Sequence, residues 1–280
     1  MSRYKYDWNQ NKFEKFIKEG RGKGQAKDYK PWLTTQDVPS TGRRSRVPGW
    51  KTGRLHHTLS DNEIDYFYLL EWADDVIDIK EQFPLIDLEV AQTIASDMGV
   101  KYPAAEKSGF PYILTADFFI TIHANGQTKE IARTIKPAKE LDKQRVIEKF
   151  EIERRYWTAK GIDWGIVTEH EIPQTLVKNI EHYHSNYQLE PTSDITLPQM
   201  FSIADFLKEK LRSSQQTALE VMNSLDQDMR LEIGTCLRVF NHLVAKKEIL
   251  LDLTKKVNLN KSARSLVTIV SDQNYKEGRA

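Results

Sequence analysis

Apolar and polar positions alternate most clearly between Tyr112 and Pro137, where two β-branched runs flank Asn125-Gly126. That dipeptide is a strong signal for a two-residue hairpin turn. A loop of those two residues sets Ala124 against Gln127, Ile120 against Ile131 and Asp117 against Thr134. Because side chains alternate along a strand, one face carries Ala116, Phe118, Ile120, Ile131 and Ile135, with Arg133 the polar intrusion. The other face gathers Asp117, Thr134 and Lys136, since opposed Cβ atoms lie about 4.5–5.5 Å apart and diagonal ones about 7–8 Å. Buried charge is costly unless paired or bound to metal. Two readings are open here: an Asp–Lys ion pair on a half-exposed sheet, or the ligand and ammonium of a metal-dependent hydrolase.

The same patterning predicts the neighbouring elements. Residues 9–19 read as a short helix with Phe13, Phe16 and Ile17 on one face, ended by the glycines of 20–24. Loop and turn signals then run to Gly53, at Lys30-Pro31, Val38-Pro39, Thr41-Gly42, Pro48-Gly49 and Thr52-Gly53. Ser60-Asp61-Asn62-Glu63 has the form of a capping box, opening a helix continued by Ile64, Phe67 and Tyr68. A strand over 75–82 ends before Phe83-Pro84. Residues 86–110 show no regular pattern and read as a surface excursion. Beyond the hairpin, 142–161 predicts a helix with Val146, Phe150 and Trp157 on one stripe and Gly161 as its stop. Residues 162–168 then read as a buried strand. The closing strand–helix–strand step implies parallel pairing, hence an α/β fold with a mixed sheet flanked by helices.

The last third predicts a helix over 171–190, a linker at 191–193 and helices over 197–211, 214–225 and 228–245. Strands over 248–253 and 266–270 surround a turn at 257–261, a winged-helix-like α+β arrangement. The expected recognition helix, with Arg230, Arg238, Lys246 and Lys247, is only mildly basic, which favours protein contact over a DNA groove. Three regions are expected: a basic helix-and-loop section (1–54) packed on a catalytic domain (55–172), and a C-terminal domain (173–280).

Composition narrows the classes. Hydrophobic residues make up 39% and charged residues 29%, the profile of a globular chain with a sizeable core. No run approaches the roughly 18 apolar residues of a membrane span, and the first residues lack an apolar signal core. The one cysteine, Cys236, excludes an internal disulfide and a thiolate zinc site and suits a cytosolic setting. Net charge is +1, but residues 1–54 carry fourteen Lys or Arg against five Asp or Glu, so that section is +9 and the rest −8. With Tyr29, Trp32 and Trp50 interleaved, this is either a nucleic-acid contact surface or a solvated arm. Arg43, Arg44, Arg46, Lys51, Arg54 and His57 are its candidate DNA-contacting residues. No phosphate-cradling glycine loop is present.

Several motifs in register sharpen the hydrolase reading. Lys27-Asp28-Tyr29, Pro31-Trp32-Leu33-Thr34, Lys51-Thr52-Gly53-Arg54, Leu59-Ser60-Asp61, Glu81-Gln82-Phe83-Pro84-Leu85, Asp117-Phe118, Lys136-Pro137-Ala138 and Glu153-Arg154-Arg155-Tyr156-Trp157 resemble the TnsA family. This family belongs to the restriction-endonuclease-like nucleases, and the resemblance is dense from about Gly20 to Ile172. It implies catalytic Glu63, Asp117 and Lys136, with Glu63, Asp117 and position 134 supplying metal ligands. The implied cofactor is Mg2+, with Mn2+ able to substitute. Thr134 is a departure, because an acid or Gln is usual there and a hydroxyl is a weak magnesium ligand. Glu130 lies on the order of 13 Å along the strand, too far to replace it. Glu153 is a candidate for steadying the ligands from behind, or else an ordinary surface Glu. The resemblance further implies DNA transposon ends as substrate, cleavage at 5′ ends, a TnsB-like transposase processing 3′ ends, a TnsC-like ATP-dependent regulator, no membrane, and the bacterial cytoplasm. Two alternatives stand beside it: a stand-alone restriction or repair nuclease, and a catalytically silent DNA-binding scaffold.

Overall fold

The hairpin forms in the expected register. In a computed structural model, which describes residues 8–38, 43–191 and 195–270, β4 (Thr115–Ala124) pairs antiparallel with β5 (Gln127–Ile135). Ala124 lies opposite Gln127 and Ile120 opposite Ile131. Asn125 and Gly126 both take positive φ, 54° and 72°, the left-handed pair a tight hairpin turn requires. The turn expectations at Val38-Pro39 and Thr41-Gly42, and the linker at Thr192 and Ser193, touch positions outside the described residues.

The chain divides into two units, Met1–Ile172 and Pro173–Ala280. In the first, the sheet order is β3-β4-β5-β6, with β3 (Val76–Pro84) antiparallel to β4 and β6 (Asp163–Val167) parallel to β5. The sheet is mixed, as the element order implied. Strand β3 runs on through Phe83-Pro84 instead of stopping before them. Strand β6 is a half-exposed edge, not a buried strand.

Both faces of the hairpin are core, which corrects the expected polar face. On one side Tyr66 of α2 (Asp61–Trp72) packs on Phe118, with ring centroids 5.8 Å apart. On the other, Phe119 and Ala132 join Ala91, Ala95, Ile152, Tyr156 and Trp157 in one buried cluster. Ala91 and Ala95 come from α3 (Leu88–Asp97), a helix inside the stretch expected to be irregular. Its buried positions are alanines one turn apart, and such small side chains leave a faint hydropathy period. Helix α4 (Gln144–Ala159) buries Ile152, Glu153, Tyr156 and Trp157. The expected Val146 and Phe150 sit half-buried beside that stripe.

The basic N-terminal section is anchored. Helix α1 (Gln10–Lys18) is capped by Asn9, whose Oδ1 accepts the Lys12 N–H at 3.0 Å. Phe16, Trp8 and Trp32 form an aromatic cluster with Ala105 and Ile113, and the Trp8 indole N–H donates to the Pro111 carbonyl at 2.8 Å. Within the stretch expected as loop, β1 (Ser45–Pro48) begins a small ribbon paired with β2 (Leu55–Thr58).

The second unit holds α5 (Gln174–His184), α6 (Leu197–Ser213), α7 (Ala218–Asp228) and α8 (Thr235–Ala245). Nine of the eleven residues of α8 are buried. The helix expected to carry an exposed reading face is therefore the centre of its unit. Asp226 holds its start, accepting the Gly234 N–H at 2.7 Å and the Cys236 N–H at 2.9 Å. The expected wing reduces to a two-residue ladder, β7 (Ile249–Leu250) with β8 (Thr268–Ile269), separated by the short α9 (Ala263–Leu266). Among the described residues no helix is long and apolar enough to cross a membrane.

Candidate active site

The site lies where β5 leaves β4. The last registered pair of their ladder is Phe118 with Arg133. Beyond it the Ile135 N–H donates to Oδ2 of Asp117 at 2.7 Å, while the Lys136 N–H stays with β6, donating to the Val167 carbonyl at 3.0 Å. The parallel crossover thus peels β5 away, and Asp117 fills the notch with its carboxylate.

Glu63 arrives from the start of α2. Ser60 caps the helix by accepting the Glu63 N–H at 3.3 Å. In return the Glu63 carboxylate accepts the Ser60 hydroxyl at 2.9 Å and the Leu59 N–H at 2.8 Å. The box closes one residue earlier than the standard pattern, on Leu59. Capping and site chemistry share these oxygens, because the cap is what fixes the carboxylate. One nitrogen then joins both acids: Nε2 of Gln82 lies 3.4 Å from Oε2 of Glu63 and 3.2 Å from Oδ1 of Asp117.

A third acid stands behind them. Glu153 is 4% exposed, which ends its reading as a surface residue. Its Oε2 accepts the Thr134 hydroxyl at 2.7 Å and the Trp164 indole N–H at 3.3 Å. Thr134 is thus turned toward Glu153. Burial pushes the Glu63 carboxyl well up, and Asp117 adds to the shift. Burial likewise raises Asp117, against the Ile135 and Gln82 hydrogen bonds and the Lys136 charge. Glu153 is pushed up to about 8 by burial and by Asp117, with the Thr134 hydrogen bond opposing. Desolvation and neighbouring like charge both favour a carboxyl's neutral form. No described residue pairs with the Lys136 ammonium, and its charge acts on Asp117 only as the weakest of the contributions.

The other sequence candidates separate. Arg43, Arg44 and Arg46 are exposed, though Arg44 also donates to the Thr35 and Val38 carbonyls at 2.7 and 2.8 Å. Lys51 donates to the Ala73 and Val76 carbonyls, each at 2.6 Å. Arg54 is buried in an ion pair with Glu81 and lies over the Tyr29 ring at 5.0 Å. His57 meets the Thr35 hydroxyl at 3.2 Å, and burial lowers its pKa. Lys51, Arg54 and His57 are thus partly buried and tied to neighbouring groups of the fold, while Arg43, Arg44 and Arg46 face solvent.

Two residues that the sequence did not single out complete the picture. Gln82, carried inside the Glu81–Leu85 motif, is the polar position of a buried strand segment. Glu81, next to it, is 1% exposed, bonded to Arg54 and at 2.8 Å to Nδ1 of His56. Burial alone would raise Glu81, but His56 and Arg54 outweigh it and hold the carboxyl down at about 2.

Among the described residues no group of three or more His, Cys, Asp or Glu side chains converges as a metal cage. Magnesium, however, commonly keeps several waters and takes one or two carboxylates, the rest coming from substrate phosphate. Glu63 and Asp117, hard oxygen donors brought to one amide nitrogen and raised together, fit that pattern.

The class of protein is an endonuclease. Residues 73–169 match the model described as TnsA-like endonuclease N terminal, and residues 171–253 match TnsA endonuclease C terminal. The chain is 40% identical over 247 residues to the Transposon Tn7 transposition protein TnsA of Escherichia coli, covering 88% of each. It belongs to the TnsA family.

Proposed function

We propose that the chain is the metal-dependent endodeoxyribonuclease subunit of a cut-and-paste transposase, hydrolysing phosphodiesters at the 5′ ends of the mobile element. The observation that carries this is the convergence of Glu63 and Asp117 on a single amide, beside the buried Glu153, in a member of an endonuclease family. The first unit is read as restriction-endonuclease-like. The second is read as a winged-helix-like module that docks other transposition proteins. A TnsB-like transposase processes the 3′ ends, and a TnsC-like ATP-dependent regulator is a second partner. Such an assembly works in the bacterial cytoplasm.

Glu63 and Asp117 would hold Mg2+, or Mn2+ in its place. When bound, the ion supplies positive charge that polarises a phosphoryl oxygen and acidifies water. Lys136, which no described residue neutralises, offers its ammonium to a non-bridging phosphate oxygen. Glu153 stands in for the acid missing at position 134, its carboxyl brought up behind the site from α4 and steadied by the Thr134 hydroxyl. Arg43, Arg44 and Arg46 contact backbone phosphates, which makes binding salt-dependent.

An end-cleavage assay with the partner proteins tests this. Asp117→Ala should cut 5′ cleavage by roughly 10²–10³-fold, equivalent to the several kcal/mol such a centre supplies, and leave 3′ processing intact. Equal 5′ cleavage by variant and wild type removes Asp117 from the reaction. Nicking of plasmid by the purified chain alone would favour a stand-alone nuclease.

A further inference from the structure

The residue across the sheet from Asp117, between the registered pairs Glu81–Phe118 and Phe83–Ala116, is Gln82. Its φ is +49°, a left-handed backbone that non-glycine residues seldom adopt, least of all within a strand. The conformation is held from outside. The Trp32 N–H donates to the Gln82 carbonyl at 3.2 Å, and the Tyr29 hydroxyl donates to the Glu81 carbonyl at 3.0 Å. One consequence is that Phe83 leaves the face its register assigns and stacks on Phe119, with centroids 4.3 Å apart. Another is that the Gln82 side chain, 2% exposed, lies between the two acids. Its Oε1 accepts the Thr115 hydroxyl at 3.1 Å, which fixes which end of the amide faces the carboxylates.

A backbone kink by itself calls for glycine, which adopts positive φ without strain. What glutamine adds is a neutral double donor. A lysine or arginine in its place would neutralise the acid pair and compete with any cation; an acid would add a further repulsive charge. The amide alone can bond both carboxylates and leave their negative charge available. We infer that Gln82 is a positioning residue, holding the Glu63 and Asp117 carboxylates at a fixed separation for a divalent cation. The inference rests on the metal-dependent reading above. It gives the aromatic N-terminal section a role in the chemistry: Tyr29 and Trp32 brace the kink that aims the amide.

The test is calorimetric titration of the full chain with MnCl2, without DNA, for wild type, Asp117→Ala, Gln82→Ala and Gln82→Gly, with thermal unfolding of each as a folding control. Wild type should bind Mn2+ and Asp117→Ala should not. Gln82→Ala and Gln82→Gly should both bind at least tenfold more weakly than wild type. The glycine variant relieves the backbone, so it stays folded if the alanine variant does not. In end cleavage, the Mn2+ concentration for half-maximal rate should rise in step, and the rate at saturating Mn2+ should fall less. Wild-type affinity in Gln82→Gly overturns the inference, reducing Gln82 to a kink. Binding by wild type that Asp117→Ala leaves unchanged, or no binding by wild type at all, overturns the metal site itself and the inference with it.

Discussion

Two acidic clusters are buried a residue apart in the first unit, and they are built on opposite principles. Glu81 is enclosed by Arg54 and His56, and its carboxyl is held down at about 2. Glu63, Asp117 and Glu153 are enclosed by neutral donors, namely the Ser60 and Thr134 hydroxyls, the Gln82 amide, the Trp164 indole and backbone N–H groups. Their carboxyls are all raised. Neutral donors orient a carboxylate without cancelling its charge. The first cluster is therefore complete in itself, while the second has among the described residues no cation bonded to it, only the weak fields of Lys136 and Lys149, and perturbed groups of that kind mark functional sites. Strand β3 serves both: Glu81 bonds to one cluster and Gln82 to the other.

The comparison predicts stability changes of opposite sign. Glu81→Gln leaves the Arg54 guanidinium buried without its counter-charge and should destabilise the protein by about 3–5 kcal/mol, read from denaturant midpoints at pH 7. The pH dependence gives a second check. A depressed carboxyl contributes stability that is present above its unfolded value, about 4.3, and lost as pH falls toward the folded value of about 2. Wild type should therefore lose more stability than Glu81→Gln between those pH values. Equal acid sensitivity would mean the ion pair does not stabilise the fold.

Glu153→Gln should do the reverse. A raised carboxyl favours the fold below its unfolded pKa, and that advantage is lost as pH rises through the folded value of about 8. Removing the charge while keeping the shape should stabilise the metal-free protein on the order of 4 kcal/mol at pH 8, and by about 1 kcal/mol at pH 5. Denaturation at both pH values measures it. A variant less stable than wild type at pH 8 would mean that the buried charge is already compensated.

Adding the missing cation is the next smaller perturbation. A divalent ion at a hundred times its dissociation constant should stabilise the native state by about 2.7 kcal/mol. The thermal midpoint of wild type should rise with Mg2+ or Mn2+, that of Glu81→Gln should rise by the same increment, and that of Asp117→Ala should not move. A rise in Asp117→Ala equal to wild type would place the ion elsewhere.

How much of this was legible in the sequence depends on whether a residue acts through its neighbours in the chain or through space. The hairpin register followed from Asn125-Gly126 and the alternation around it, both local. Glu63 and its cap were equally local. The α3 helix was missed because Ala91 and Ala95 make a core face from methyl groups. Glu153 was undervalued because hydropathy on α4 points to Val146 and Phe150, while the tertiary fold buries Ile152, Tyr156 and the acid between them. Arg54 and Lys51 were read as surface charge from composition, yet carbonyls and Glu81 tie them to the fold. Gln82 stayed hidden longest, because its role depends on a backbone angle that Trp32 and Tyr29 enforce from far along the chain.

The finest probe of the comparison is Thr134→Val. In the cluster of neutral donors the hydroxyl is, among the described residues, one of two side-chain donors to Glu153, the other being Trp164. Removing it should raise the Glu153 carboxyl further, since that hydrogen bond favours the charged form. The cost should be about 1 kcal/mol, the usual net worth of one such bond, and it should be larger at pH 9, where Glu153 is ionised, than at pH 5, where it carries its own proton. Combining Thr134→Val with Glu153→Gln should abolish that pH difference, because the group that titrates is gone. If the difference survives in the double variant, the hydroxyl is serving Asp117 rather than Glu153, and Thr134 acts at the notch directly.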